Sequence, residues 1–197
     1  MEMIAKKVHR ITENLERKGQ YNFEVYRGAD QPVVVSLADV RVGDRTYPCD
    51  TAIDIDPGQQ PGSEDATFTT LIHEGVSGQN AEMFDKAVEI LNYNYPGKFV
   101  RDYTDRSQDV LYNTRERVSN LSPEVVSEHL EEHVKVKARV TPELEHVRAQ
   151  LGLGPKESAT KAEEFAIDWE KTLRHTKDLP HGPEVIYLPR WKRALGE

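Results

Sequence analysis

The sequence predicts an α+β fold: an N-terminal helix and a small, mostly antiparallel sheet, followed by a largely helical C-terminal half. Three observations carry this. Residues 3–18 repeat Ile4, Val8, Ile11 and Leu15 at helical spacing. Residues 21–56 switch to β-branched and alternating runs. Beyond residue 100 the chain carries helix-start signals and apolar residues three and four apart. Strands grouped first and helices later indicate a segregated α+β domain.

Taken in order, the first helix stops at Gly19, where a C-cap belongs. "NFEVY", "PVVVSLADVRV", "RTYPC" and "TAIDID" then give three or four antiparallel strands, with "VGDR" as a tight Gly-Asp hairpin. "PGQQPGSED", residues 57–65, is a loop with two Pro-Gly turns, long enough to act as an outward-reaching arm. "ATFTTLIHEG" reads as a strand with Phe68, Thr70 and Ile72 on one face and Thr67, Thr69 and Leu71 on the other. A helix begins near Asn80, with Phe84, Ala87, Val88 and Leu91 as its stripe.

"SPEVVSEHLEEHVKV" and "TPELEHVRAQLG" each open with a hydroxyl cap, a proline and a glutamate, and so predict two helices. "GLGPKESAT" links them to a last helix bearing Phe165, Trp169 and Leu173, and "EVIYLP" gives a final strand or extended arm. The 197 residues are read as a single domain, divisible into an α+β lobe, 1–100, and a helical lobe, 101–197, with that arm.

The formal charge of −8, with lysine and arginine scattered among acids, argues against general nucleic-acid binding. "LPRWKRALGE" is the strongest local basic stretch. The single cysteine, Cys49, excludes an internal disulfide and fits a reducing compartment. No apolar run approaches a membrane span, and "MEMIAKKVHR" has no signal-peptide core. The expected location is the cytoplasm, or a particle assembled inside a cell.

Three short motifs point to chemistry. In "DTAIDIDPG", alternation places Asp50, Ala52, Asp54 and Asp56 on one face and Thr51, Ile53 and Ile55 on the other. Paired carboxylates on one strand face suit a divalent cation. "AIDIDPG" resembles the metal-binding strand of the archaeo-eukaryotic primase and polymerase superfamily, which implies Asp54 and Asp56 as ligands of Mg or Mn. That resemblance covers about seven residues. "HEGVSGQN" lacks the lysine and second histidine that the family uses on phosphates, and Asp168 in "FAIDWEK" is the candidate third carboxylate.

"HLEEH", 129–133, is similar to the His-x-x-Glu-His zinc motif of the inverzincin peptidases, which implies His129 and His133 as ligands and Glu132 as base, completed by an acid such as Glu143, Glu145 or Glu163. Val126, Leu130 and Val134 form the apolar stripe of that helix, with both histidines on its border. "FEVYRGAD" resembles the first strand of many ADP-ribosyltransferases, which implies a dinucleotide-binding role for Arg27, with Glu184 near the place of the catalytic acid.

Each motif lacks its second constellation, and catalysis needs several groups converging on one atom. The well-formed caps, charged hairpins, Pro-Gly loop and the Arg/Trp pair of "IYLPRWKRAL" fit a contact-making protein instead. The expectation is a non-catalytic structural or interaction subunit of a larger assembly, a connector or virion-like particle component, with protein partners, an oligomeric state and no cofactor. The alternative is a nucleotidyl or phosphoryl transfer enzyme using Mg or Mn at Asp54 and Asp56.

Overall fold

The computed structural model describes residues 2–19, 21–27, 32–56, 63–102 and 108–155. The last expected helix and arm, with Glu163, Asp168 and Glu184, lie outside the described residues, as does most of the Pro-Gly loop. The chain runs α1 (Glu2–Arg17), β1 (Asn22–Arg27), β2 (Pro32–Leu37), β3 (Asp39–Val42), β4 (Arg45–Pro48), β5 (Thr51–Asp56), β6 (Asp65–His73), β7 (Val76–Ser77), α2 (Ala81–Leu91), β8 (Lys98–Asp102), β9 (Asp109–Arg117), a single 3-10 turn, α3 (Pro123–Gln150) and β10 (Gly154–Pro155).

Six strands form one antiparallel sheet in the order β1-β2-β5-β6-β9-β8. The mixed α+β class and the leading helix therefore hold. Two features differ from expectation. The segment after residue 97 supplies β8 (Lys98–Asp102) and β9 (Asp109–Arg117) where helix was expected, so the sheet is larger than the sequence suggested. Strand β9 was missed because "TRER" ends it in charge. Its apolar start, Val110-Leu111-Tyr112, is buried on both faces and shows no alternation.

The second difference is α3. One continuous 28-residue helix replaces the two predicted ones, with Pro142 inside it. The start signal at Thr141-Pro142 misleads because the Thr141 hydroxyl does not cap. It donates to the Ile72 carbonyl at 2.8 Å, anchoring the helix to β6. The true cap is Ser122, whose hydroxyl accepts the Val125 N–H.

All three helices pack on one face of the sheet or on one another. Val8, Ile11 and Leu15 of α1 join Val34, Ile53, Phe68, Val126 and Leu130 in one apolar cluster. Phe84 and Val88 of α2 join Ile72, Phe99, Tyr112, Val136, Val140 and Leu144 in a second. The β3–β4 hairpin turns at Gly43, whose φ of +61° is the left-handed value that favours glycine. Arg45 ties this hairpin to Glu145 of α3 at 2.7 Å.

Both sheet edges are tied to preceding helices. The Phe23 N–H on β1 donates to the Glu16 carboxylate at 3.0 Å. On β8, Asn92 accepts the Phe99 N–H at 2.6 Å and donates its amide to the Phe99 carbonyl at 3.1 Å. An amide side chain thus occupies the edge position that another strand would use, a recognised way of blunting an edge.

Candidate functional site

Two groups of residues stand out, one beneath α3 and one on the opposite face of the sheet. The interior group grows from facing threonines. Antiparallel register puts Thr51 of β5 opposite Thr70 of β6, and Phe68 opposite Thr114 of β9, all on the helix-covered face. Above them, α3 buries Val126, Leu130, His133, Val136, Lys137, Val140, Thr141 and Leu144, a stripe at steps of three and four. His133 therefore lies within the buried stripe and not on its border, while Val134 is only half-buried.

His133 is fully buried, its ring near Phe68 of one cluster and Tyr112 of the other. Its Nδ1 lies 2.8 Å from the Thr70 hydroxyl and its Nε2 3.0 Å from the Thr114 hydroxyl. Thr70 meets the Thr51 hydroxyl at 2.7 Å, and Thr114 meets Nδ1 of His129 at 2.9 Å. The His129 ring stacks on Phe68 with centroids 4.4 Å apart. Burial lowers the His133 pKa to about 3, with His129 opposing its charge further, so the ring is neutral at ordinary pH.

This geometry does not assemble the zinc arrangement expected of "HLEEH". Both His133 nitrogens face threonine hydroxyls, and Glu132 accepts a hydrogen bond from the Tyr112 phenol. That phenol also accepts the Gly97 N–H at 2.9 Å. A Cβ at Gly97 would overlap the Tyr112 ring, which explains the glycine. Desolvation and the Glu132 carboxylate raise the Tyr112 pKa.

Beside this group, a bulge between Leu71 and His73 disturbs the β6–β9 ladder. The buried Lys137 ammonium satisfies its carbonyls, donating to Leu71 at 2.5 Å and Ile72 at 3.0 Å. Cys49 is buried nearby, its thiol pushed up to about 12 by desolvation, which disfavours the reactive thiolate. Burial also lowers the His73 pKa, and its Nδ1 donates to the Glu74 carbonyl.

The second group is on the outer face. Strand β5 alternates as the sequence indicated: Thr51 and Ile53 are buried, while Asp54 and Asp56 are exposed. Register places Asp54 beside Thr67 and then Arg115, and Asp56 beside Asp65 and then Arg117. Arg115 and Arg117 are exposed. An acidic column on β5 and a basic column on β9 therefore flank β6, two strands or roughly 10 Å apart. Asp65 is the carboxylate that sequence reasoning did not bring to this pair. Among the described residues, no three of His, Cys, Asp and Glu come together in a group that could hold a metal ion.

Arg27 ends β1 at the opposite side of the sheet from β9. An open groove of about 500 Å³ is lined by Gly19, Tyr21, Leu37, Ala38, Glu131 and Val134. Among the described residues, no helix is long and apolar enough to cross a membrane. Comparison of the sequence with protein-family models and with curated proteins gave no match.

Proposed function

We propose that this chain is a non-catalytic interaction subunit that self-associates through the outer face of β5, β6 and β9, within a larger assembly. The observation that supports this reading is the charge order of that face. Asp54 and Asp56 stand on one side of β6, Arg115 and Arg117 on the other, in matching rows. A two-fold axis running along β6 in the plane of contact lays each acidic column over the partner's basic column, Asp54 against Arg115 and Asp56 against Arg117. Such a contact is isologous, as closed dimers require. Complementary charge fixes register and rejects mismatched partners.

The interior supports the same reading. His133, Glu132 and Cys49, the side chains best suited to acid–base or nucleophilic work, are buried or engaged by neighbours. Sedimentation velocity across protein concentration and salt tests the proposal. Dimers that dissociate as salt rises agree with it, because exposed ion pairs are screened. A monomer at every concentration and low salt would refute it.

One observation favours a second reading, Mg- or Mn-dependent nucleotidyl or phosphoryl transfer at Asp54 and Asp56. Asp65 faces Asp56 in register, and Arg115 and Arg117 stand one strand beyond. Calorimetry with MnCl2 tests it. Heat that disappears in Asp54→Asn supports this reading, and no heat in the wild-type protein removes it.

A further inference from the structure

We infer that residues 156–197 dock back on the outer face of the sheet, seating the apolar stripe Phe165, Trp169 and Leu173 over the end that carries Val35 and Leu111. The inference goes beyond the contact between copies, which uses the opposite, charged end of that face, and does not rest on it.

Burial on an uncovered face is the first observation. Val35 follows Val34, a member of the inner cluster with α1, so alternation turns it outward on β2. Leu111 is turned outward on β9 in the same way, between Val110 and Tyr112 of the other inner cluster. Among the described residues, the three helices pack on the inner face or on one another. Yet Val35 is only 3% exposed and Leu111 only 9%. On the same face Asp54, Asp56, Arg115 and Arg117 are exposed. Neighbouring strands alone therefore do not hide a side chain here. A cover lies over one end of the face and stops short of the other.

A polar group on this face supplies the second observation. Asn113 stands two residues from Leu111, opposite Thr69 on the outer side. Its Oδ1 is shut off from solvent and has no hydrogen-bond donor among the described residues. A buried acceptor without a donor is costly, so the cover must bring an N–H or O–H. The indole of Trp169, in the middle of the stripe, carries an N–H that seeks an acceptor when buried.

Reach and span agree with this occupant. The described chain ends at Pro155, where β10 pairs with β7 just beyond the His73 end of β6. Leu71 and Leu111 lie toward that same end, whereas Asp65 and Arg117 lie at the other. Ten residues separate Pro155 from Phe165. Extended, they reach roughly 30 Å, enough to round the end of the sheet. Val35 and Leu111 are three strand spacings apart, roughly 14 Å. Phe165 to Leu173 spans about 12 Å along a helix. Val100 on the β8 edge is exposed, so the cover stops at β9. With this end occupied, two copies meet at their charged ends and splay apart toward the other.

Cysteine labelling of the full chain tests the inference. Val35→Cys and Leu111→Cys each place a thiol under the cover, and Cys49, buried near Lys137, is the internal reference. High salt screens the charged contact between copies, so failure of that contact leaves this measurement unaffected. Both introduced thiols should react slowly with a maleimide, at a rate independent of protein concentration. Adding Phe165→Ala, Trp169→Ala and Leu173→Ala should speed both reactions roughly tenfold or more, because a covered thiol reacts only through local opening. Cys49 should stay slow in the same samples, which separates an uncovered face from an unfolded chain. Trp169→Ala alone gives the same readout with a milder change if the triple variant does not fold. Equal rates with and without the stripe would overturn the inference. So would protection that fades on dilution, which assigns the cover to a second copy.

Discussion

Replacing His133 with phenylalanine should change the pH dependence of stability more than stability itself. The phenyl ring keeps a flat group of similar size between Phe68 and Tyr112 but removes both contacts to threonine. Thr70 retains Thr51 and Thr114 retains His129, so each hydroxyl loses one partner of two. A net hydrogen bond contributes about 1 kcal/mol, so the variant should be about 2 kcal/mol less stable near pH 7.5.

The proton works in the opposite direction. Folded His133 has its pKa lowered from the ordinary 6.5 to about 3. Between these values the unfolded chain binds the proton and the native state does not, so stability falls as pH falls through that window. At roughly 1.4 kcal/mol per pH unit, the wild-type protein should lose about 3 kcal/mol between pH 6.5 and pH 4 on this account, a loss the variant escapes. The stability curves should therefore cross near pH 5, with His133→Phe the more stable protein at pH 4. Urea unfolding followed by circular dichroism at several pH values measures both curves. Parallel curves, with no crossing, would show that His133 is not a buried neutral ring and would refute the reasoning.

Other expectations follow from individual contacts. Asn92→Ala removes both side-chain bonds to Phe99 on the β8 edge. It should cost about 1–2 kcal/mol in urea unfolding and increase light scattering on heating, since an opened edge pairs with other chains. Lys137→Met keeps the aliphatic stem but takes the ammonium from the Leu71 and Ile72 carbonyls. Because Ile72 still receives the Thr141 hydroxyl, the expected loss is about 1–3 kcal/mol in the same assay. Gly97→Ala should be more damaging than an exposed strand substitution. Its methyl must displace the Tyr112 ring from the core, which near-ultraviolet circular dichroism would register as lost tyrosine signal.

Much of the fold is legible in local chemistry. The Val8, Ile11 and Leu15 stripe of α1, the Gly43 hairpin and the alternation of β5 and β6 are patterns one element long, and all stand where the residues place them. Thr70 could be assigned to the inner face beside Phe68 and Ile72, and Thr51 opposite the aspartates. What sequence reading missed depends on partners far along the chain. β9 is buried between β6 and β8, so its apolar start has no wet side to reveal a strand. Thr141 and Pro142 spell a helix start, yet the Ile72 carbonyl, 69 residues away in sequence, takes the hydroxyl. His133 resembles a ligand in "HLEEH" until Thr70 and Thr114 are known to face it. A motif gives the spacing of groups along one element; the facing strands decide what those groups can bind.

The outer face admits the sharpest test. Two variants are needed, Asp54→Arg with Asp56→Arg, and Arg115→Asp with Arg117→Asp, which make the β5 and β9 columns both basic and both acidic respectively. Sedimentation at low salt should find each variant monomeric when alone and dimeric when the two are mixed, since every like-charge clash becomes an attraction. If wild type dimerises but the mixture remains monomeric, or if either variant alone associates as the wild type does, the contact lies elsewhere on the molecule.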